Sequence, residues 1–339
     1  MAPSEEIRKA VLAQAQGSMA LQLAFIGVTN GLFAALEKGD ATAAELAARL
    51  QLDAGYLTRW LQAAYAFGLL DASGDRFRLA EAGRAFLPNE PDTLMPMAVQ
   101  AMLGAHLSER AALLMRTGER PGESVLAERE TILPWFGPML EATFGPIFER
   151  ELLPAVPLLN EIGRRGGLAL DLGCGNGWYL RRLLARHPKL RGVGLDGIEE
   201  NVRQATERAR RDGLADRLSF FVGDIYAHAP VEPAALVVMN RALHHVWDRR
   251  EQVFRLLRDA LQPGGAAVIW EPAWPDELSR LREPRARGLA VQNLSEHVQG
   301  NHLLRPAEIE AAFAEAGMPA SSFLVGGGFE AIVVGRRPS

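Results

Sequence analysis

The chain of 339 residues has a single cysteine, Cys174. An intrachain disulfide is therefore impossible, and a structural zinc site built on cysteines is excluded. Neither sign of charge is in excess: 37 Lys and Arg stand against 41 Asp and Glu, a formal −4. Such a balance gives the chain no general attraction to nucleic acid or anionic membrane. No apolar run is read as approaching the roughly 18 residues of a membrane helix. The opening MAPSEEIRKA lacks the apolar stretch of a signal peptide. Internal repeats and low-complexity tracts are also missing. A soluble, cytoplasmic protein with no membrane or nucleic-acid partner is expected. A composition of 48% hydrophobic and 23% charged residues excludes a disordered chain, and the length suggests two domains.

Residues 12–70 are rich in Ala and Leu and free of proline. Leu21, Leu23, Phe25, Val28, Leu32, Phe33 and Leu36 predict one or two packed helices. Thr42, with Glu45 three positions on, predicts a capping box. Asp53 starts a helix bearing Leu57, Trp60, Leu61 and Ala64, which Gly68 ends. LLDASGDRFRLAEAG predicts two short strands around a Ser-Gly-Asp turn. Three helices and a β-hairpin make a winged-helix pattern, assigned to residues 1–90. Residues 91–160, broken by prolines, are expected to be a helical connector. From 161 to 339 short apolar strands alternate with helices, which predicts an α/β domain with a largely parallel sheet covered on both faces. Its last two strands, SSFLVGG and FEAIVVGR, predict an antiparallel hairpin.

The strongest motif is Asp171-Leu172-Gly173-Cys174-Gly175-Asn176-Gly177, between a strand and a helix running from Trp178 to Arg186. Glycines there let the backbone turn sharply and approach a ligand. A second acid, Asp196, ends the next strand, and a third, Asp224, follows LSFFVG. A ribose diol wants a carboxylate at the end of the second strand. An adenine amine wants an acceptor after the third, and an ammonium or sulfonium wants negative charge near the first loop. The set suits S-adenosylmethionine better than a dinucleotide, whose pyrophosphate prefers an uncrowded helix N-terminus.

DLGCGNG, the Asp196 strand, the VGD strand and the Pro263–Gly265 turn resemble the class I S-adenosylmethionine-dependent methyltransferases. With the winged-helix first half, NRALHHVWDRREQVFRLLRDALQPGGAAVIWEPAWPDE resembles the small-molecule O-methyltransferase group. The resemblance implies a Rossmann-like, seven-stranded methyltransferase sheet, a homodimer through the first domain, and a small organic acceptor from secondary metabolism. By position it implies that Asp171, Gly173, Gly175 and Gly177 line the methionine part of the cofactor. Asp196 would bind the ribose, Asp224 and Ile225 flank the adenine, and Asn240 face the amino-acid end.

On the acceptor side the resemblance implies His244, just past the fourth strand, as general base, with Glu271 orienting it. Two departures stand out. Phenol O-methyltransferases usually carry Asp where this chain has His245, and Pro306 falls where they carry a glutamate, with Glu308 the nearest acid. The related 2-oxo acid C-methyltransferases hold a divalent metal between two histidines. His244 and His297 match that arrangement by order, which gives a metal-dependent C-methylation as the alternative. His302 is a further histidine of the same segment. Trp135, Phe136, Met139 and Phe144 resemble the acceptor-pocket wall of the O-methyltransferases. The winged helix raises a third reading, a DNA-binding regulator. Residues 1–90 carry eight basic against ten acidic groups, and the third helix has Arg59 as its only charge. A recognition helix needs exposed basic and polar groups, so burial against protein is the expectation instead.

Overall fold

The computed structural model describes residues 3–227 and 232–339. The chain condenses into two units. One comprises the chain up to Leu107 with Arg129–Thr143, the other Ser108–Glu128 with Phe144–Ser339. The stretch 91–160 is divided between them. Its long helices α6 (Met95–Leu114) and α8 (Leu133–Ile147) each cross the division.

The first unit opens with α1 (Glu5–Thr29), α2 (Leu32–Glu37), β1 (Ala41–Thr42), α3 (Ala43–Leu50) and α4 (Ala54–Ala66). The hairpin β2 (Leu70–Ser73) and β3 (Arg76–Leu79) follows, then α5 (Glu81–Arg84). The predicted capping box is present: Glu45 N donates to Thr42 Oγ1 (3.2 Å), and Thr42 N to Glu45 Oε2 (3.0 Å). Asp53 caps α4 by accepting from Tyr56 N (2.8 Å). Gly74 turns the hairpin at φ 63°, a conformation that favours glycine. Phe33, Leu46, Leu57 and Leu61 are buried at the centre of this unit, and Trp60 Nε1 donates to Leu23 O (3.0 Å). One sequence expectation needs correction. Helix α1 is long and apolar enough to cross a membrane by length and composition alone, with 22% of the qualifying window buried. Residues 11–28 contain no charged residue, a run obscured by the scattered Gln and Ser.

The second unit includes α7 (Ser124–Ala127), a π-helical turn at Phe148–Leu152, α9 (Leu153–Ala155) and α10 (Pro157–Arg165). Then come β4 (Gly167–Leu172), α11 (Trp178–Arg186), β5 (Leu190–Asp196), α12 (Glu199–Arg211), β6 (Leu218–Val222) and β7 (Ala234–Asn240). A 3-10 segment, Leu243–Arg249, leads to α13 (Arg250–Ala260), β8 (Leu261–Pro272), α14 (Arg287–Val298), α15 (Pro306–Glu315), β9 (Ala320–Val325) and β10 (Glu330–Arg336). The seven strands lie in the order β6-β5-β4-β7-β8-β10-β9. Those from β6 to β8 are parallel, and β10 runs antiparallel to both β8 and β9. Strands β4 and β7 are buried along almost their whole length, as near-continuous apolar runs require in a sheet covered on both faces. Strand order reverses between β4 and β7, so a crevice opens beyond their carboxyl ends.

Candidate active site

The glycine loop joins β4 to α11 at that crevice. Gly173, Gly175 and Gly177 have φ of 79°, 53° and 73°, which L side chains rarely adopt. Their surroundings differ. A Cβ on Gly173 would lie 2.5 Å from Ala242 Cβ, and one on Gly177 2.4 Å from the Phe220 ring. A Cβ on Gly175 would meet nothing within 4 Å. Of the three, Gly175 borders open space, while the outer two are required by packing.

Asp171, at the end of β4, is 1% exposed, and neither carboxylate oxygen has a hydrogen-bond partner among the described residues. Burial, with the nearby charge of Asp196, holds its carboxyl well above the usual range. Asn240 Oδ1, at the end of β7, and the hydroxyl of Tyr179 on α11 are also buried and without a partner among the described residues. Burial and the Asp171 charge raise that phenol. Three polar groups left unsatisfied around one loop are costly unless a ligand completes them. An ammonium would satisfy Asp171, so the residues fit the methionine end of S-adenosylmethionine.

Asp196 ends β5 and is already heavily engaged. Oδ2 accepts from Gly175 N (2.8 Å), and Oδ1 from Ile198 N (2.9 Å) and Asn201 Nδ2 (3.1 Å). A carboxylate has about four lone-pair sites, so a ribose hydroxyl can share it. Asp224 is exposed, and its Oδ1 accepts from Tyr226 N (2.9 Å); Ile225 beside it is half-buried.

His244 follows β7 and is 3% exposed. Its Nδ1 donates to Glu271 Oε2 at 2.6 Å, while Glu271 Oε1 accepts from Leu243 N (2.7 Å) and His244 N (3.3 Å). Glu271, in β8, is fully buried. The other ring nitrogen, Nε2, lies 3.5 Å from Glu296 Oε2 on α14 and has no hydrogen-bond partner among the described residues. Burial works against a cation here, yet Glu271 and Glu296 outweigh it and push His244 up to about 10. Burial would likewise raise Glu296, but His244 overrides it and holds that carboxyl at about 2. The His245 ring packs on His244 with centroids 4.1 Å apart. Its Nδ1 lies 2.7 Å from Asn301 Nδ2 and 3.0 Å from Glu123 Oε1.

The acceptor-side expectations fare unevenly. The structure brings His244 and Glu271 together. It does not bring His297 to His244: His297 is exposed, and the preceding residue, Glu296, is the one turned inward. Adjacent helical residues project about 100° apart, so a one-residue difference changes the face. Glu308 does not replace the missing glutamate. It caps α15 by accepting from Arg305 N (2.8 Å), and Pro306 occupies the first helical turn. His302 is exposed. Among the four aromatic-region residues, Met139 is buried in the first unit's core, on which Trp135 and Phe136 pack. Phe144 belongs to the second unit, edge-on to Trp270 and beneath the Arg241 guanidinium at 4.3 Å. The sequence reading missed Tyr179, Glu296 and Glu123. Glu296 carried a signal, an acid beside the singled-out His297; the others carried none.

Residues 169–265 match a family model described as a methyltransferase domain, and residues 12–89 one described as an O-methyltransferase dimerisation domain. O-demethylpuromycin-O-methyltransferase of Streptomyces alboniger is 29% identical over 72% of this chain and 66% of its own length. The N,N-dimethyltransferase OxyT of Streptomyces rimosus is 29% identical over 77% of this chain and 79% of its own. Among solved structures, human N-acetylserotonin methyltransferase in complex with SAM superposes with a TM-score of 0.73 at 20% identity, covering 100% of both chains.

Proposed function

This chain belongs to the class I S-adenosylmethionine-dependent methyltransferases with an O-methyltransferase dimerisation domain, and from that premise we propose that it methylates an oxygen of a small secondary metabolite in the cytoplasm, with His244 as general base. The observation that carries this reading is the buried His244–Glu271 pair, 2.6 Å apart at the sheet edge that also holds Asp171 and Asn240.

Bound S-adenosylmethionine supplies an electrophilic methyl group on a sulfonium. The protein's tasks are then to hold the reactants in line and to manage one proton. Asp171 would receive the cofactor's ammonium, and Asp196 would share its carboxylate with the ribose. Glu271, an acceptor only, fixes the proton of His244 on Nδ1 and so aims Nε2 outward. In the resting metal-free protein the two carboxylates hold the ring as a cation. An acceptor hydroxyl that displaces Glu296 from Nε2 removes one of them and lowers the affinity for the second proton, so that Nε2 releases this proton to solvent and is then free to take the hydroxyl proton.

The test is turnover with radiolabelled S-adenosylmethionine over a panel of phenolic, enolic and amine metabolites, with products identified by mass spectrometry. His244→Ala should lower turnover by roughly 10²–10⁴-fold with cofactor affinity retained. Full activity in that variant would remove the base assignment, and N-methylated products alone would remove the oxygen assignment.

A further inference from the structure

His244, His245 and Glu296 offer two ring nitrogens and one carboxylate oxygen that all lie within 4.8 Å of one another. We propose that these three residues form a binding site for one divalent transition-metal ion of the zinc or ferrous class.

The first argument is the spacing of Nε2 and Oε2. At 3.5 Å it is longer than the ~2.7–2.9 Å of a charge-assisted hydrogen bond. Two ligands at ~2.0–2.2 Å from one ion in tetrahedral geometry stand roughly 3.3–3.6 Å apart. The pair is thus too open for a good hydrogen bond and correctly open for an ion between its members. The second argument is that Nε2 is buried and unpartnered among the described residues, although a rigidly held imidazole faces it toward a carboxylate. The third is the outer support. A ligating histidine usually donates its far N–H to a carboxylate, and Glu271 receives that of His244 at 2.6 Å. Glu123 Oε1, 3.0 Å from Nδ1 of His245, can receive the N–H of that ring likewise. The fourth is charge. Three carboxylates, Glu123, Glu271 and Glu296, converge on two imidazoles, while the nearby Arg241 is already paired with Glu330 and Gln292. A divalent cation offsets most of that negative charge.

Two imidazoles and one carboxylate suit zinc or ferrous iron and disfavour magnesium, which wants oxygen ligands. Such an ion supplies Lewis-acid polarisation to an acceptor oxygen. With the ion on Nε2, the part of His244 passes from taking a proton to holding the metal. The site itself does not depend on the methyltransferase reading, on which only this last role rests.

The test is calorimetric titration of chelator-stripped full-length protein with Zn²⁺, with Mg²⁺ in parallel and the visible spectrum of added Co²⁺ as a second readout. One equivalent of Zn²⁺ should bind, and Mg²⁺ should not. Glu296→Gln and His245→Ala should each weaken Zn²⁺ at least tenfold and change the Co²⁺ bands. Glu271→Gln should weaken it about 10–100-fold. His297→Ala should bind as the unaltered protein does. S-adenosylmethionine titrated into every variant reports folding, and reports the methyltransferase reading separately from the metal. No zinc binding, or equal zinc binding by the His244→Ala/Glu296→Gln double variant, would overturn the site while leaving that reading untouched.

Discussion

His244 shows how far a residue's chemistry depends on its neighbours. A free imidazole titrates near 6.5, whereas this one, between Glu271 and Glu296, is pushed up to about 10. The folded state therefore binds the proton more tightly than the unfolded chain does. Its contribution to stability is complete below about pH 6.5 and is lost as pH rises through about 10. Urea unfolding of metal-free protein at intervals across that window should show stability falling more steeply than in His244→Gln, which lacks the titrating ring. Parallel slopes would mean that the two carboxylates do not hold the proton. Glu296 is the reciprocal case: its contribution is present above about 4.5 and lost as pH falls through about 2. None of this follows from the residue types, since Glu271 and Glu296 are 27 and 52 positions from the histidine they act on.

At the scale of elements, the glycine-loop edge of the sheet is tied together by one side chain. Asp196 ends β5, fastens the glycine loop through Gly175 N, and holds the start of α12 through Ile198 N and Asn201. Its loss therefore affects more than a ligand contact. Asp196→Ala should lower S-adenosylmethionine affinity by about 1.5–3 kcal/mol, and should also destabilise the cofactor-free protein by about 1–3 kcal/mol, because buried donors lose their acceptor. Calorimetry and thermal melts measure the two effects separately. An unchanged melt would show that the loop holds without this tie. The elements themselves were legible. Capping at Thr42 and Asp53, the helix Trp178–Arg186, and the closing antiparallel pair follow from local chemistry that the structure repeats. The register of α14 was not legible. Whether residue 296 or 297 faces inward depends on how that helix lies against the sheet edge, and polar residues on both of its faces blur the periodicity.

For the whole molecule, the open matter is what covers α1. Leu12, Met19 and Ile26 recur every seven residues and are 63%, 51% and 42% exposed. An apolar stripe of that length marks an interface, and it lies within the segment that matches a dimerisation domain. We expect a homodimer in sedimentation at micromolar concentration, and a shift toward monomer in Leu12→Glu/Met19→Glu. A unaltered protein that sediments as a monomer would contradict the homodimer, whatever the variant does.

The sequence alone determined the architecture and the glycine loop at the sheet edge. Strand–helix alternation, caps and a glycine loop followed by acids at strand ends are written in short-range patterns, because backbone sterics and hydrophobic period act over a few residues. Only the tertiary structure decided the acceptor side. There Glu123, His244, Glu271 and Glu296 come from four separate segments, and their meeting is set by packing across the sheet edge. The same packing turned His297 outward, gave Glu308 to a helix cap, and placed a carboxylate on each side of one imidazole. Long-range burial created that charge arrangement, and no local pattern records it.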